Sequence, residues 1–216
     1  MSDMRYIPDV TPQRQTSDTD NWAAWRGTRD GAPSVIDWAT ARSMEGRVFG
    51  ANMGSLTTPL TFLVYGANRP DAWLRVPDAT AIIPLYVNVA LEDAAGTDTE
   101  IFIIVAANDI GNGTSTAATA GPVSWRTDAP VTSAVTARHL ATADTTAATT
   151  PIEVFRTTYG SAEGTGNDAR NVLWAPRVPP VLMGPASLIV YVAATTTQAT
   201  GFVQFAWVEV PENMFS

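Results

Sequence analysis

Side chains that could perform acid–base or nucleophilic chemistry are few in this 216-residue chain. His139 is its only histidine and it has no cysteine, which excludes a histidine-rich metal centre and all thiolate chemistry. A Ser-His-Asp hydrolase would have to use His139, but no G-x-S-x-G nucleophile elbow is present. We therefore predict that the chain has no catalytic residues and is not an enzyme.

Acidic residues are concentrated around one predicted hairpin, at Glu92, Asp93, Asp98, Glu100 and Asp109. Two carboxylates about 5–10 Å apart can hydrolyse a glycosidic bond. Carboxylate oxygens can also hold calcium, and Asp93, Asp98 and Asp109 are the candidates, although they match no EF-hand loop. The sequence favours a third interpretation, in which these acids are solvated loop residues. We therefore predict no metal site and no cofactor.

A glycine-rich stretch, GSAEGTGNDAR at 160–170, contains no lysine and precedes no amphipathic helix. A phosphate-binding loop needs that cation and that helix terminus, so we interpret the stretch as a flexible turn. The net charge is −8 and all thirteen basic residues are arginine. This acidic balance argues against coating nucleic acid. No apolar run is long enough to span a bilayer and the start lacks a signal-peptide pattern, so we expect synthesis in a cytoplasm and no membrane partner.

The sequence predicts three parts of the chain: an arm, a short helix and a region of strands. Residues 1–34 have no sustained period and read as an extended arm, and residues 35–46 contain a short helix that Gly46 could end. Residues 47–216 are dominated by strand patterns separated by turn signals. The pattern predicts an all-β protein, an antiparallel jelly-roll-like β-sandwich with an N-terminal arm and one short helix.

The clearest strand signal is AIIPLYVNVALED, which begins at residue 81. Ile83, Leu85, Val87, Val89 and Leu91 alternate strictly, which predicts that all five share one face. Pro84 cannot donate to a β-ladder, so the strand should lie at a sheet edge or be bulged there.

Strands at 82–91, 100–107 and 202–210 are apolar on both faces, whereas one face of a sandwich strand usually meets water. Either the chain's own arm and loops cover the second face, or another copy does. We favour a homo-oligomer. The predicted interface residues are aromatic: Trp22, Trp25, Phe202, Phe205 and Trp207.

The hairpin RVPDATAIIPLYVNVALEDAAGTDTE, the closing pair GPASLIVYVAATTTQATGFVQFAWVEVP and the irregular arm resemble viral jelly-roll structural proteins. The resemblance covers residues 47–212 and is one of architecture, with no diagnostic motif. It implies a non-enzymatic virion protein of a tailed bacteriophage, which assembles with itself and with other virion proteins. Its implied location is the virion.

This chain departs from genome-enclosing capsid proteins, which often carry a basic arm. Four arginines in residues 1–34 face five aspartates, so the arm has a net charge of −1. We therefore expect a minor, decoration or vertex subunit that contacts no nucleic acid, while a major shell protein without a basic arm stays possible. The alternative is a carbohydrate-binding or lectin-like module, with or without calcium held by the acids at 92–109, that uses Trp73, Trp125 and Trp174 as stacking platforms.

Overall fold

The computed structural model describes residues 38–55, 57–93, 98–159, 170–194 and 198–211. The chain divides into two units, Met1–Ala41 and Arg42–Ser216. Helix α1 (Trp38–Met44) ends as the sequence predicts, because Gly46 takes a positive φ of 75° and its N–H donates to Ser43 O at 2.9 Å. That turn leads directly into the first strand.

Thirteen strands lie in the described part of the second unit. In chain order they are β1 (Val48–Met53), β2 (Leu60–Thr61), β3 (Ala72–Val76), β4 (Thr80–Asp93), β5 (Thr99–Ala106), β6 (Thr116–Ala117), β7 (Ala120–Ser124), β8 (Thr136–His139), β9 (Ile152–Tyr159), β10 (Arg170–Trp174), β11 (Leu182–Met183), β12 (Ala186–Ala194) and β13 (Thr200–Pro211). They form a seven-stranded sheet with the order β10-β4-β13-β1-β7, to which β2 and β11 are attached, and a six-stranded sheet with the order β6-β8-β3-β12-β5-β9.

Eight of these strands carry the topology: β1, β3, β4, β5, β9, β10, β12 and β13. The first of the eight pairs with the last, the second with the seventh, the third with the sixth and the fourth with the fifth, always antiparallel. This is the pairing of one long hairpin rolled into two layers, which is the jelly roll. The predicted all-β jelly-roll-like sandwich is therefore confirmed.

The main core lies between the two sheets, where alternate residues of the strands face each other. Its largest aromatic pair is Phe49 from β1 and Trp207 from β13, whose ring centroids are 6.1 Å apart. Aliphatic residues of the six-stranded sheet complete it. They include Leu74, Ile101, Ile103, Leu188, Val190 and Val192, each at most 1% exposed.

The predicted face of β4 is only partly correct, because a β-bulge changes its phase. Tyr86 pairs with Ala206 but Pro84 pairs with Trp207, so Leu85 has no residue opposite it. Val87 therefore faces the main core while Ile83 faces the other side of the sheet. Pro84 lies at this bulge, as one of the two predicted alternatives has it, and on the side away from β13 it falls between the residues that pair with β10 and those that pair with β11.

The connection from β5 to β9, residues 107–151, closes one side of the sandwich. Its strand β7 extends the seven-stranded sheet beside β1, and its strand β8 extends the six-stranded sheet beside β3. One connection thus covers an edge of both sheets, edges that would otherwise be free to pair with another chain.

Candidate binding surfaces

The outer face of the six-stranded sheet carries a second apolar cluster. Its central pair is Phe102 on β5 and Tyr191 on β12, stacked with ring centroids 4.9 Å apart. Tyr65, from the segment 62–71, packs edge-on against both rings. Trp73, Ile110, Ala141 and Ile189 complete the cluster and are at most 1% exposed. Here the chain's own loops cover the second apolar face of β5 and β12.

Polar groups of this sheet anchor the loop 107–115, which lies over it and leads into β6. Ser187 on β12 donates its hydroxyl to Asn108 O at 2.9 Å and accepts the N–H of Ile110 at 3.2 Å. The indole of Trp73 donates to the carbonyl oxygen of Gly111 at 3.2 Å. Each contact satisfies a loop backbone group that burial removes from water, so these hydrogen bonds fix the position of the loop on the sheet.

An arginine–carboxylate pair holds the same loop at its start. The Arg75 guanidinium donates Nε to Asp109 Oδ1 at 2.6 Å and Nη2 to Oδ2 at 2.5 Å, and it also bonds Asn112. Hydrogen bonding to Arg75 holds the pKa of Asp109 below its usual value and raises the pKa of the arginine. Asp109 therefore serves as a fixed partner of Arg75.

That pairing bears on the calcium candidates Asp93, Asp98 and Asp109. Asp98 precedes β5 and Asp109 follows it, so a strand of eight residues, roughly 25 Å at 3.3 Å per residue, separates the two carboxylates. A single ion cannot bind both, and the prediction that these acids cluster near one hairpin is wrong in that respect. The side chain of Asp93 lies outside the described residues.

His139, the only histidine, is 6% exposed at the end of β8, where it pairs with Ala72 and Thr116. Burial lowers the pKa of its imidazole, and neighbouring Arg138 acts in the same direction. Its Nδ1 has no hydrogen-bond partner in the part of the chain that the structure describes. Within that part, no three histidine, aspartate or glutamate residues lie close enough to hold a metal.

The predicted interface aromatics differ in burial and in the side of the sheet on which they lie. Phe205 and Trp207 are at most 1% exposed in the main core, so their side chains are unavailable to a partner. Phe202, on the other side of β13, is half-buried. Trp22 and Trp25 lie outside the described residues.

The outer face of the seven-stranded sheet has an apolar end and a polar end. At the apolar end Val48, Ala81, Ile83, Val208 and Val210 form a small buried cluster. At the polar end three rows of residues cross the sheet, and we call them together the amide face. Its rows are Gly50, Ala206 and Tyr86, then Asn52, Gln204, Asn88 and Leu173, then Phe202, Ala90 and Asn171.

Trp125 lies beside the first row. Its backbone N–H donates to Val48 O at 2.9 Å, which fixes the residue directly after β7. A Cβ on Gly50 would come within 2.8 Å of the indole nitrogen, so the glycine makes room for the ring. The Trp125 and Tyr86 ring centroids are 6.4 Å apart. Because Gly50 has no Cβ, the Trp125 ring can pack against the outer face of the sheet beside Tyr86.

Of the three tryptophans predicted as stacking platforms, Trp73 is 0% exposed and Trp174 is 6% exposed. Only Trp125, at 47%, presents its ring to solvent, so the three do not share one surface. The amides beside it are loosely bonded. Asn88 Nδ2 donates to Gln204 Oε1 at 3.5 Å, and Asn88 Oδ1 has no partner among the described residues.

No protein family and no curated protein matches the chain. In the described part, no helix is both long and apolar enough to cross a membrane.

A further apolar surface surrounds the proline-rich connection between β10 and β11. Val178 is 85% exposed and stands between Pro176 and the pair Pro179-Pro180. Leu173, Val181 and Met183 beside it in sequence are 60%, 46% and 42% exposed. Proline restricts the backbone of this segment, so these side chains are presented with little conformational freedom to lose on binding.

Proposed function

We propose that this chain is a non-enzymatic virion structural protein, a capsid or capsid-associated subunit of the minor, decoration or vertex kind, from a tailed bacteriophage. The single observation that carries the proposal is the pairing of the eight strands as a jelly roll, the architecture that viral capsid domains use. Fold alone does not specify function, so the proposal needs a test of assembly itself. Its partners are further copies of the chain and other virion proteins.

The surface for assembly must be one that the fold leaves uncovered. The doubly apolar strands β5 and β12 do not supply it, because their outer face is occupied by the chain's own loops. The connection between β10 and β11 does, because Val178 and Val181 in it are 85% and 46% exposed. Burying exposed aliphatic side chains stabilises a contact by about 25 cal/mol per Å². We therefore propose that this connection contacts a neighbouring subunit.

The test is the mass of the protein in solution. Light scattering at tens of micromolar, roughly the Kd of a weak contact, should show a defined homo-oligomer, a trimer or a pentamer in keeping with virion symmetry. Val178→Asp should shift it toward monomer, since a charge would have to be desolvated in the contact. Val64→Asp is the matched control, because Val64 is also exposed (54%) but lies in the segment 62–71.

Two outcomes contradict the proposal. A wild-type chain that stays monomeric throughout this concentration range would remove the basis for an assembling subunit. An oligomer that responds equally to both valine substitutions would show that the connection between β10 and β11 is not the contact.

A further inference from the structure

We propose that the amide face, with Trp125 beside it, binds an uncharged oligosaccharide. A sugar ring packs on the exposed indole, and sugar hydroxyls bond the side chains of Asn52, Asn88 and Gln204. This proposal is independent of the proposed virion function.

The aromatic end of the site supplies an apolar surface at the level of the sheet. Sugar rings present C–H groups on one side, and aromatic rings bind such slightly positive edges through their electron-rich faces. Trp125 is 47% exposed although its nitrogen lies against β1 at Gly50, and Tyr86 extends the surface toward β4. An indole that only filled the core would not remain half in water.

The middle row supplies hydrogen bonds of the kind that hydroxyl groups match. A primary amide both donates and accepts, as a sugar hydroxyl does. Asn88 and Gln204 make a single contact at 3.5 Å, at the long end of hydrogen-bond distances, and Asn88 Oδ1 has no partner in the described chain. A buried acceptor without a donor is costly, and a ligand hydroxyl that displaces the loose amide contact would satisfy it.

The charges of the site identify the class of ligand. The chain carries 21 acidic and 13 basic residues, yet none of the three rows contains either kind. Phosphate, nucleic acid and acidic sugars bind where cations are fixed, and a site without them gives such ligands no compensation for lost hydration. Aromatic and amide groups without formal charge fit a neutral, hydroxyl-rich ligand.

The size of the site indicates more than one sugar. Residues two apart on a strand are about 7 Å apart, so the three rows extend over roughly 14 Å. Beyond the amide row the face continues into an open groove of about 420 Å³, lined in part by Asn52, Gly54, Thr119, Phe202 and Gln204. A chain of sugars can therefore stack at Trp125 and reach the groove across the amides.

The experiment measures binding of maltohexaose, cellohexaose, chitohexaose and yeast mannan by isothermal titration calorimetry, with sialyllactose as a charged comparison. At least one neutral glycan should bind with a Kd below about 1 mM, and sialyllactose should not. Trp125→Ala should raise that Kd roughly tenfold, the loss expected for one stacking contact. Tyr65→Ala is the matched control, since Tyr65 is an aromatic of similar exposure (52%) in the segment that packs over the other sheet, and it should leave the Kd unchanged.

Gly50→Ala separates positioning from removal of the ring. Its new Cβ would lie 2.8 Å from the indole nitrogen, so it displaces the ring while Trp125 and the three amide residues all stay in place, and binding should weaken. The melting temperature of the variant is measured beside its Kd to show that it is folded. This variant also keeps the test valid if Trp125→Ala does not fold.

Three results would overturn the proposal. They are no binding of any neutral glycan, equal binding by the wild type, Trp125→Ala and Gly50→Ala, and a change of oligomer mass on Trp125→Ala. The last would mean that another copy of the chain occupies the face. Because the assembly test uses Val178, each proposal can fail without the other.

Discussion

Titration of Asp71 should make this protein more stable in mildly acidic than in alkaline solution. Asp71 is 2% exposed and directly precedes β3. Its Oδ1 accepts the N–H of Leu63 at 2.6 Å, and its Oδ2 accepts the N–H of Val192 at 2.7 Å. The carboxyl group thus extends the ladder beside β12 by one position and ties the segment 62–71 to it.

The sign of the effect follows from the pKa. Burial raises the pKa of Asp71 from 3.8 to about 7, although the two backbone donors lower it in part. The folded state therefore binds the proton more tightly than the unfolded state does. The resulting stabilisation is complete below about pH 3.8 and is lost as the pH rises through about 7. Between pH 5 and pH 9, at 1.36 kcal/mol per unit, the free energy of unfolding should fall by about 3 kcal/mol.

The assay is urea unfolding at several pH values from 5 to 9, for the wild type and for Asp71→Asn. Asparagine has nearly the same shape and cannot ionise, so the variant retains only the pH dependence of the other groups, including buried His139. The difference in unfolding free energy between the two proteins should change by about 3 kcal/mol over this range. Parallel curves would refute the reasoning, because they would mean that Asp71 has the same pKa folded and unfolded.

Two further predictions concern packing and charge. Gly201→Ala should destabilise the fold by about 3 kcal/mol, measured by urea unfolding, since its Cβ would lie 2.1 Å from Ala90 O on β4. Gly121→Ala, which meets nothing within 4 Å, should lie within about 0.5 kcal/mol of the wild type, and a similar loss in both would contradict the steric cause. Net charge −8 predicts no gel shift of duplex DNA at physiological salt, and a salt-sensitive shift at low micromolar protein would show that basic residues form a patch.

Long strands with aliphatic residues at regular spacing were predictable from the sequence. The strands β4, β5, β12 and β13 all lie where long apolar runs predict them, and they form the centre of both sheets. Such runs predict a buried strand, but they do not predict which residues face the main core, because both faces are apolar and the bulge in β4 changes its phase. The run TPLTFLVY at 58–65 also predicts a strand, one that ends at Tyr65. Only Leu60–Thr61 is strand there, because the chain leaves the sheet to cover Phe102 and Tyr191 with Tyr65.

The strand β1 was missed, although it lies in the middle of the seven-stranded sheet. Its sequence VFGANM includes glycine and asparagine, which are depleted in strands. Both occupy the outer face, where Gly50 makes room for Trp125 and Asn52 joins the amide row. Gly50 and Asn52 thus contribute to the surface site, and they also lower the strand propensity of this segment, so propensity alone does not predict β1.

The few polar residues of a doubly apolar strand indicate whether a loop of the same chain covers it, because a covering loop needs hydrogen-bond partners. Ser187 interrupts the run ASLIVYVAA of β12 and is 0% exposed, and its hydroxyl holds two backbone groups of the loop above it. Asp71 likewise accepts two backbone N–H groups, those of Leu63 and Val192, while Arg75 on β3 holds the loop through the side chain of Asp109. Gln204 on β13 holds no loop, and its one contact in the described chain is the loose bond from Asn88. Ser187 and Asp71 are therefore committed to the protein's own backbone, while Asn88 and Gln204 on the amide face retain bonding capacity for a ligand.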